Sequence, residues 1–235
     1  MHVINHNKQV CWYAEQAFAD PHPRLFDPHW WQEQKAVVGS SLGRGVTWFV
    51  KLDGRHMVLR HYYRGGMVGK LVRDRFWFEG VEGSRAMAEF ALLEQLCARD
   101  LPVPRPYAAR MSKSGPFYRA DILLERIRGA KDLVDLLKKG PVPDATWQRI
   151  GQVIRRFHDA GVYHADLNSH NILIDRDDKV WLIDFDKGAI RSPGPWQQAN
   201  LERLLRSFNK ESVLHTSFHW VPGNWQSLMA GYRGE

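Results

Sequence analysis

Twelve consecutive residues, Tyr163-His-Ala-Asp-Leu-Asn-Ser-His-Asn-Ile-Leu-Ile174, constrain this chain more than any other stretch. A polar run carrying His164, Asp166, Asn168, His170 and Asn171 ends in the apolar Ile172–Ile174. The turn-rich Asp175-Arg-Asp-Asp-Lys179 separates it from a second apolar run, Val180–Ile183, after which comes Asp184-Phe-Asp186. Two short apolar runs across a turn read as paired strands. Each acidic or amide group then stands where a strand ends or a loop begins, the place from which polar side chains reach a cleft. Asp166, Asn171 and Asp184 form an oxygen donor set. Such a set suits Mg²⁺, which takes one or two protein ligands and completes its shell with water and substrate phosphates.

The flanking sequence predicts an α+β protein with a strand-rich first half and a helix-rich second half. Residues 46–52 and 55–62 are β-rich and joined by Asp53-Gly54, a hairpin turn signal. Upstream, Gly39-Ser-Ser-Leu-Gly43-Arg-Gly45 reads as a glycine-rich stretch entering the first strand, and the basic, aromatic residues 64–82 read as loop or insertion. Ser84 is the expected N-cap of a helix to about Arg99, with Glu89, Leu92, Leu93 and Leu96 on one face. Asp121–Ile127 reads as a buried strand. A short helix is expected around 131–138. Trp147, Ile150, Ile154 and Phe157 mark a helix closed by Gly161, and Leu201, Leu204, Leu205 and Phe208 mark the last. The boundary is placed near Glu125–Gly129, giving a first lobe of 1–127 and a second of 128–235.

Thirty-three Lys and Arg against 26 Asp and Glu leave a net charge of +7. That balance favours a polyanionic partner without choosing among nucleic acid, an anionic membrane face and a phosphorylated substrate. No recognised nucleic-acid motif is present, and the basic residues are not laid along one helix. Nothing in the sequence has the length and apolarity of a membrane span or a secretory signal, and two cysteines fit a reducing compartment.

The loop His164-x-Asp166-x-x-x-x-Asn171 followed by Asp184-Phe185 resembles the catalytic and metal loops of the protein-kinase-like superfamily. The resemblance implies a bilobal protein-kinase-like fold, with a small mainly β N-lobe and a compact helical C-lobe. It makes Asp166 the base that orients the attacking hydroxyl, with Asn171 and Asp184 holding Mg²⁺ against the phosphates of ATP. His164 is expected to fix the loop. Arg60, in Met57-Val-Leu-Arg60, takes the place where such kinases carry a lysine; Lys51 is the alternative cation. Glu89 is the expected ion-pair partner of that cation, the competing reading being a surface pair with Arg85. Gly43 and Gly45 would belong to a phosphate-covering loop, and Glu125 to Ile127 to the hinge meeting adenine.

Fifty-one residues follow Asp184, with no A-P-E element among them, and Asp186 replaces the usual glycine. Both features favour a small-molecule acceptor over a protein. Further stretches are similar to the 3-deoxy-D-manno-octulosonic acid (Kdo) kinase family, itself related to the heptose kinases of lipopolysaccharide. They are Arg60-His-Tyr-Tyr-Arg-Gly-Gly66 with Gly69-Lys70, Ser84-Arg-Ala86 with Ala88-Glu-Phe90, Pro102-Val-Pro-Arg-Pro106, Tyr118-Arg-Ala-Asp121 and Trp181–Lys187. The similarity implies transfer of the ATP γ-phosphate to the 4-hydroxyl of Kdo on a lipid A precursor, at the cytoplasmic face of the inner membrane. Arg60, Arg64, Lys70, Arg73 and Arg75 could bind acceptor anions or headgroups, and Trp12, Trp30, Trp31, Trp77, Trp220 and Trp225 could anchor at an anionic membrane surface. A heptose kinase, a nucleotide-binding pseudokinase and a nucleic-acid-binding module are the competing readings.

Overall fold

Two-residue turns with positive φ set the first half of the fold. The computed structural model describes residues 1–42, 45–64 and 73–235. Strands β1 (His2–His6) and β2 (Gln9–Tyr13) meet at Asn7 and Lys8, with φ of 44° and 67°. Strands β4 (Val46–Leu52) and β5 (Arg55–His61) meet at Asp53 and Gly54, with φ of 48° and 77°. Positive φ at both central residues matches the twist of antiparallel strands, and Asp-Gly supplies it readily. Asn-Lys does so with less local preference, and the first hairpin escaped the sequence reading for that reason.

With β3 (Val37–Leu42), β6 (Phe76–Trp77), β7 (Pro106–Ser114) and β8 (Phe117–Glu125), these strands form one antiparallel sheet. Its order is β1-β2-β7-β8-β5-β4-β3, with β6 also paired to β8. The glycine-rich stretch is therefore largely a strand: Ser40–Leu42 pair with Val46–Trp48, and a bulge falls at Val37/Gly39. Gly43 lies outside the described residues, as do Lys70 and the glycines 65, 66 and 69. Likewise β6 lies inside the stretch expected as loop. Cys11, Tyr13, Leu25, Phe26, Trp31, Val50, Met57 and Leu123 form a core on the sheet.

The helix expected from Ser84 is α2 (Arg85–Ala98); α1 (Pro28–Glu33) precedes it under an Asp27 cap. Ser84 does not cap by its side chain, since among the described residues its buried hydroxyl has no hydrogen-bond partner. The Arg85 amide instead donates to the Tyr118 hydroxyl at 3.0 Å, a cap supplied by β8.

The chain divides into two units, residues 1–95 with 104–126 and residues 96–103 with 127–235. The second is mainly helical: α3 (Leu133–Leu137), α4 (Asp144–Asp159), α5 (Trp196–Leu214) and α6 (Pro222–Arg233). Short strands β9 (Lys131–Asp132), β11 (Ile172–Ile174) and β12 (Val180–Leu182) form one small sheet, and β10 (Val162–Tyr163) pairs with β13 (Ala189–Ile190). Trp147, Ile150, Ile154 and Phe157 are buried along α4, as their spacing requires. Helices α4 and α6 approach so closely that a Cβ at Gly151 would collide with the Leu228 carbonyl oxygen.

Of the six tryptophans expected to anchor at an interface, Trp31 is a core residue whose indole donates to the Leu25 carbonyl, and Trp77 is exposed. Trp12 lies edge-on to Phe90 and Trp220 stacks on Phe208, so packing accounts for both. Among the described residues no helix is long and apolar enough to cross a membrane.

His158 is buried beside Tyr232, 2.8 Å from its hydroxyl, and burial lowers its pKa from 6.5 to about 4. The unfolded chain binds this proton between those values and the folded chain does not, so acid favours unfolding. Stability carried by the neutral ring is present above pH 6.5 and lost as pH falls towards 4, on the order of 3 kcal/mol in all. Urea titrations at pH 7, 5.5 and 4 are expected to show this decline, and His158→Gln to flatten it.

Candidate active site

The residues around 164 are held by one buried imidazole. His164 Nδ1 accepts the Asp166 amide proton at 3.1 Å, and Nε2 lies 3.0 Å from the Ile183 carbonyl oxygen. Those two bonds fix the neutral tautomer with the proton on Nε2. Burial lowers the pKa of this ring, which keeps it neutral. Ile183 is gripped at both ends, because its amide donates to the Asn171 carbonyl at 3.0 Å. The polar loop and the segment leading into Asp184 are thereby stitched together.

Within the loop, the Asp166 carbonyl receives Nδ2 of both Asn168 (3.1 Å) and Asn171 (2.9 Å). Asn168 also caps the short turn Ser169–Asn171 by accepting the His170 amide. With its nitrogen so committed, the Asn171 amide keeps its oxygen for a ligand. Asp184 adopts φ +64°, a conformation that costs a non-glycine residue energy and gathers at functional sites. Its neighbour Phe185 is buried against Phe157 and His164, which anchors the turn. Asn171 and Asp184 thus bring an amide oxygen and a carboxylate, the hard donors that fit Mg²⁺ when phosphates fill the remaining positions.

Helix α5 supplies what the sequence reading did not find. Asn200, Arg203 and Ser207 lie three and four residues apart, on one face. Asn200 Nδ2 donates to the His164 carbonyl at 3.0 Å and Oδ1 accepts the His164 amide at 3.4 Å. Ser207 Oγ meets Ser169 Oγ at 2.7 Å and accepts the Ser169 amide. Arg203 Nη1 donates to Asp166 Oδ1 at 3.0 Å. The signal lay in the same helical periodicity that marked Leu201, Leu204 and Phe208, read for its polar positions.

The first unit holds a second polar group. Arg60 on β5 donates to Glu89 Oε2 at 2.5 Å, and Glu89 is buried on α2. Tyr62 donates to the same oxygen and lies under the Arg60 guanidinium at 4.9 Å. Burial, with Glu89 beside it, raises the Tyr62 pKa well above its usual value, so the phenol stays protonated. Arg85, the alternative partner for Glu89, lies over the Phe76 ring at 4.7 Å, and the Glu89 charge acts on it as well. Lys51 is exposed and pairs with His56 across the strands, four residues along β4 from Thr47, which pairs with Arg60. A Cβ at Gly45 would strike the Tyr63 ring, so packing already requires that glycine. The Glu125 amide donates to the Arg105 carbonyl and the Arg126 amide to the His56 carbonyl; Ile127 begins the second unit.

The chain belongs to the lipopolysaccharide kinase (Kdo/WaaP) family, whose model matches residues 28–232. It is 52% identical over 214 residues to a 3-deoxy-D-manno-octulosonic acid kinase of Vibrio parahaemolyticus, covering 91% of this chain and 90% of that protein. Proteins of the same name from Photobacterium profundum and Haemophilus influenzae are 45% and 42% identical, over 232 and 240 residues. Those alignments span 99% of this chain in both cases and 98% and 99% of the two proteins.

Asn200→Ala would leave the buried His164 carbonyl and amide without their partner. The expected cost is about 1–3 kcal/mol in urea-unfolding free energy. An unchanged midpoint would show that the clamp carries no stability.

Proposed function

We propose that the chain is a Kdo kinase. It transfers the γ-phosphoryl group of ATP to the 4-hydroxyl of a Kdo residue on a lipid A precursor, a step of lipopolysaccharide inner-core assembly. The near full-length relatives named for this activity support the reading. The observation that carries it is the presentation of Asp166: its backbone is pinned by His164, Asn168 and Asn171, and Arg203 holds one carboxylate oxygen. The remaining oxygen, Oδ2, accepts the proton of the acceptor hydroxyl as that hydroxyl attacks the γ-phosphorus. The bond from phosphorus to the β–γ bridging oxygen breaks, and ADP leaves. Alignment does most of the work in such a reaction.

Asn171 and Asp184 are the residues that would hold Mg²⁺, whose charge, when bound, neutralises the phosphate oxygens. We assign residues 1–127 and 128–235 as the N- and C-lobes of a protein-kinase-like fold. Arg60, oriented by Glu89, grips phosphate through its planar fork. Gly43 and Gly45 cover the phosphates, and Glu125 to Ile127 meet adenine.

Phosphate transfer from ATP to a Kdo–lipid A acceptor, read by mass spectrometry, tests the reading. Asp166→Ala and Asp184→Ala are each expected to lose about a hundred- to ten-thousandfold in turnover while keeping the thermal midpoint. Wild-type turnover in both variants would refute the mechanism, and preference for a heptose-bearing acceptor would refute the substrate.

The lipid acceptor and the net positive charge support the reading that the enzyme is a peripheral protein at the cytoplasmic face of the inner membrane. Trp77, 59% exposed and edge-on to Phe117, and Lys113 over the Phe78 ring make an aromatic and basic patch suited to headgroups. In flotation assays the protein is expected to rise with anionic vesicles at low salt and less at high salt. Failure to rise at either would contradict membrane association.

A further inference from the structure

The mechanism above leaves Arg203 with a single assigned contact, to the base itself. Among the described residues its guanidinium makes one hydrogen bond, to Asp166 Oδ1, so most of its five N–H groups are open to a ligand. The two side chains are about half exposed, 49% for Arg203 and 47% for Asp166, so neither is sealed into the fold. An exposed pair of this kind contributes little stability. The position of Arg203, by contrast, is strongly determined. Leu201, Leu204 and Phe208 bury one side of α5, while Asn200 and Ser207 tie it to the loop on either side of Asp166. A rigid helix therefore presents a bidentate-capable cation beside the carboxylate that receives the acceptor hydroxyl. Arg206 and Lys210, at helical spacing from Arg203 and exposed, continue the positive charge along α5.

We propose that Arg203 is a specificity residue that binds the acceptor's own carboxylate, and so selects a sugar acid over a neutral sugar. The inference rests on the Kdo kinase reading. An octulosonic acid carries a carboxylate on its anomeric carbon, two ring carbons from the 4-hydroxyl. An acceptor whose 4-hydroxyl approaches Asp166 brings that carboxylate within reach of a guanidinium hydrogen-bonded to Asp166. Arginine suits this task because its planar fork matches a carboxylate with two parallel hydrogen bonds. A neutral sugar at the same place would leave the cation without its anion, which is how a site rejects an analogue lacking one group.

The test is a cycle between residue and ligand. The full-length enzyme is assayed with a Kdo–lipid A acceptor and with the same acceptor after reduction of its carboxylate to a primary alcohol. The wild type is expected to prefer the acid by about 30-fold or more in kcat/KM. Arg203→Gln is expected to lose activity on both acceptors through its hold on Asp166, and about 30-fold more on the acid one than on the reduced one, bringing the preference close to unity. Arg203→Lys should restore part of it, and calorimetric binding of ADP should be the same in all three proteins. Equal losses on both acceptors would place Arg203 on the phosphoryl group or on Asp166 alone and overturn the proposal. So would a preference unchanged in Arg203→Gln. Those two results leave the kinase reading standing, whereas failure of the wild type to phosphorylate either acceptor removes that reading and the proposal together.

Discussion

One imidazole carries the geometry on which the functional unit depends. His164 uses both ring nitrogens, one to accept the Asp166 amide proton and one to donate to Ile183, and it can do both only while neutral. Burial lowers its pKa, which favours that state. Because Ile183 immediately precedes Asp184, the ring links the placement of one carboxylate to that of the other. Asn200 then fixes the histidine's own backbone from α5. Asp166 contributes its own amide and carbonyl to this network, so the main chain of the loop is held by bonds within the protein.

The first unit solves a different problem with related means. A buried carboxylate, Glu89, must be compensated, and it receives both the Arg60 guanidinium and the Tyr62 hydroxyl. Breaking such a buried pair by removing one partner is costly, so the arrangement defines one conformation of Arg60. An arginine presents a planar fork where a lysine would present a point charge. The stacked Tyr62 ring restricts that fork further.

Local signals made much of this legible in the sequence. The Asp53-Gly54 turn announced its hairpin, the apolar periodicity announced α4 and α5, and the polar run from His164 to Asn171 stood out by residue type and spacing. What escaped depends on partners distant in sequence. Tyr118 caps α2 where Ser84 was expected to do so, and no local pattern says which hydroxyl will reach the Arg85 amide. Asn200, Arg203 and Ser207 stand some thirty to forty residues from their partners in the loop, and an apolar pattern does not reveal where the polar face of its helix lands. The strand β3 hid behind glycines that suggested a loop, and the hairpin at Asn7-Lys8 behind a turn with weak local preference.

In the proposed mechanism the loop held by His164 presents Asp166 so that an acceptor hydroxyl attacks the γ-phosphorus directly, with no phosphorylated enzyme between. Stereochemistry at phosphorus reads this most directly. With ATP made chiral at the γ-phosphate by oxygen isotopes, a single in-line displacement predicts inversion of configuration in the phosphorylated sugar. Retention would require two displacements through a covalent intermediate, and would contradict the role given to Asp166.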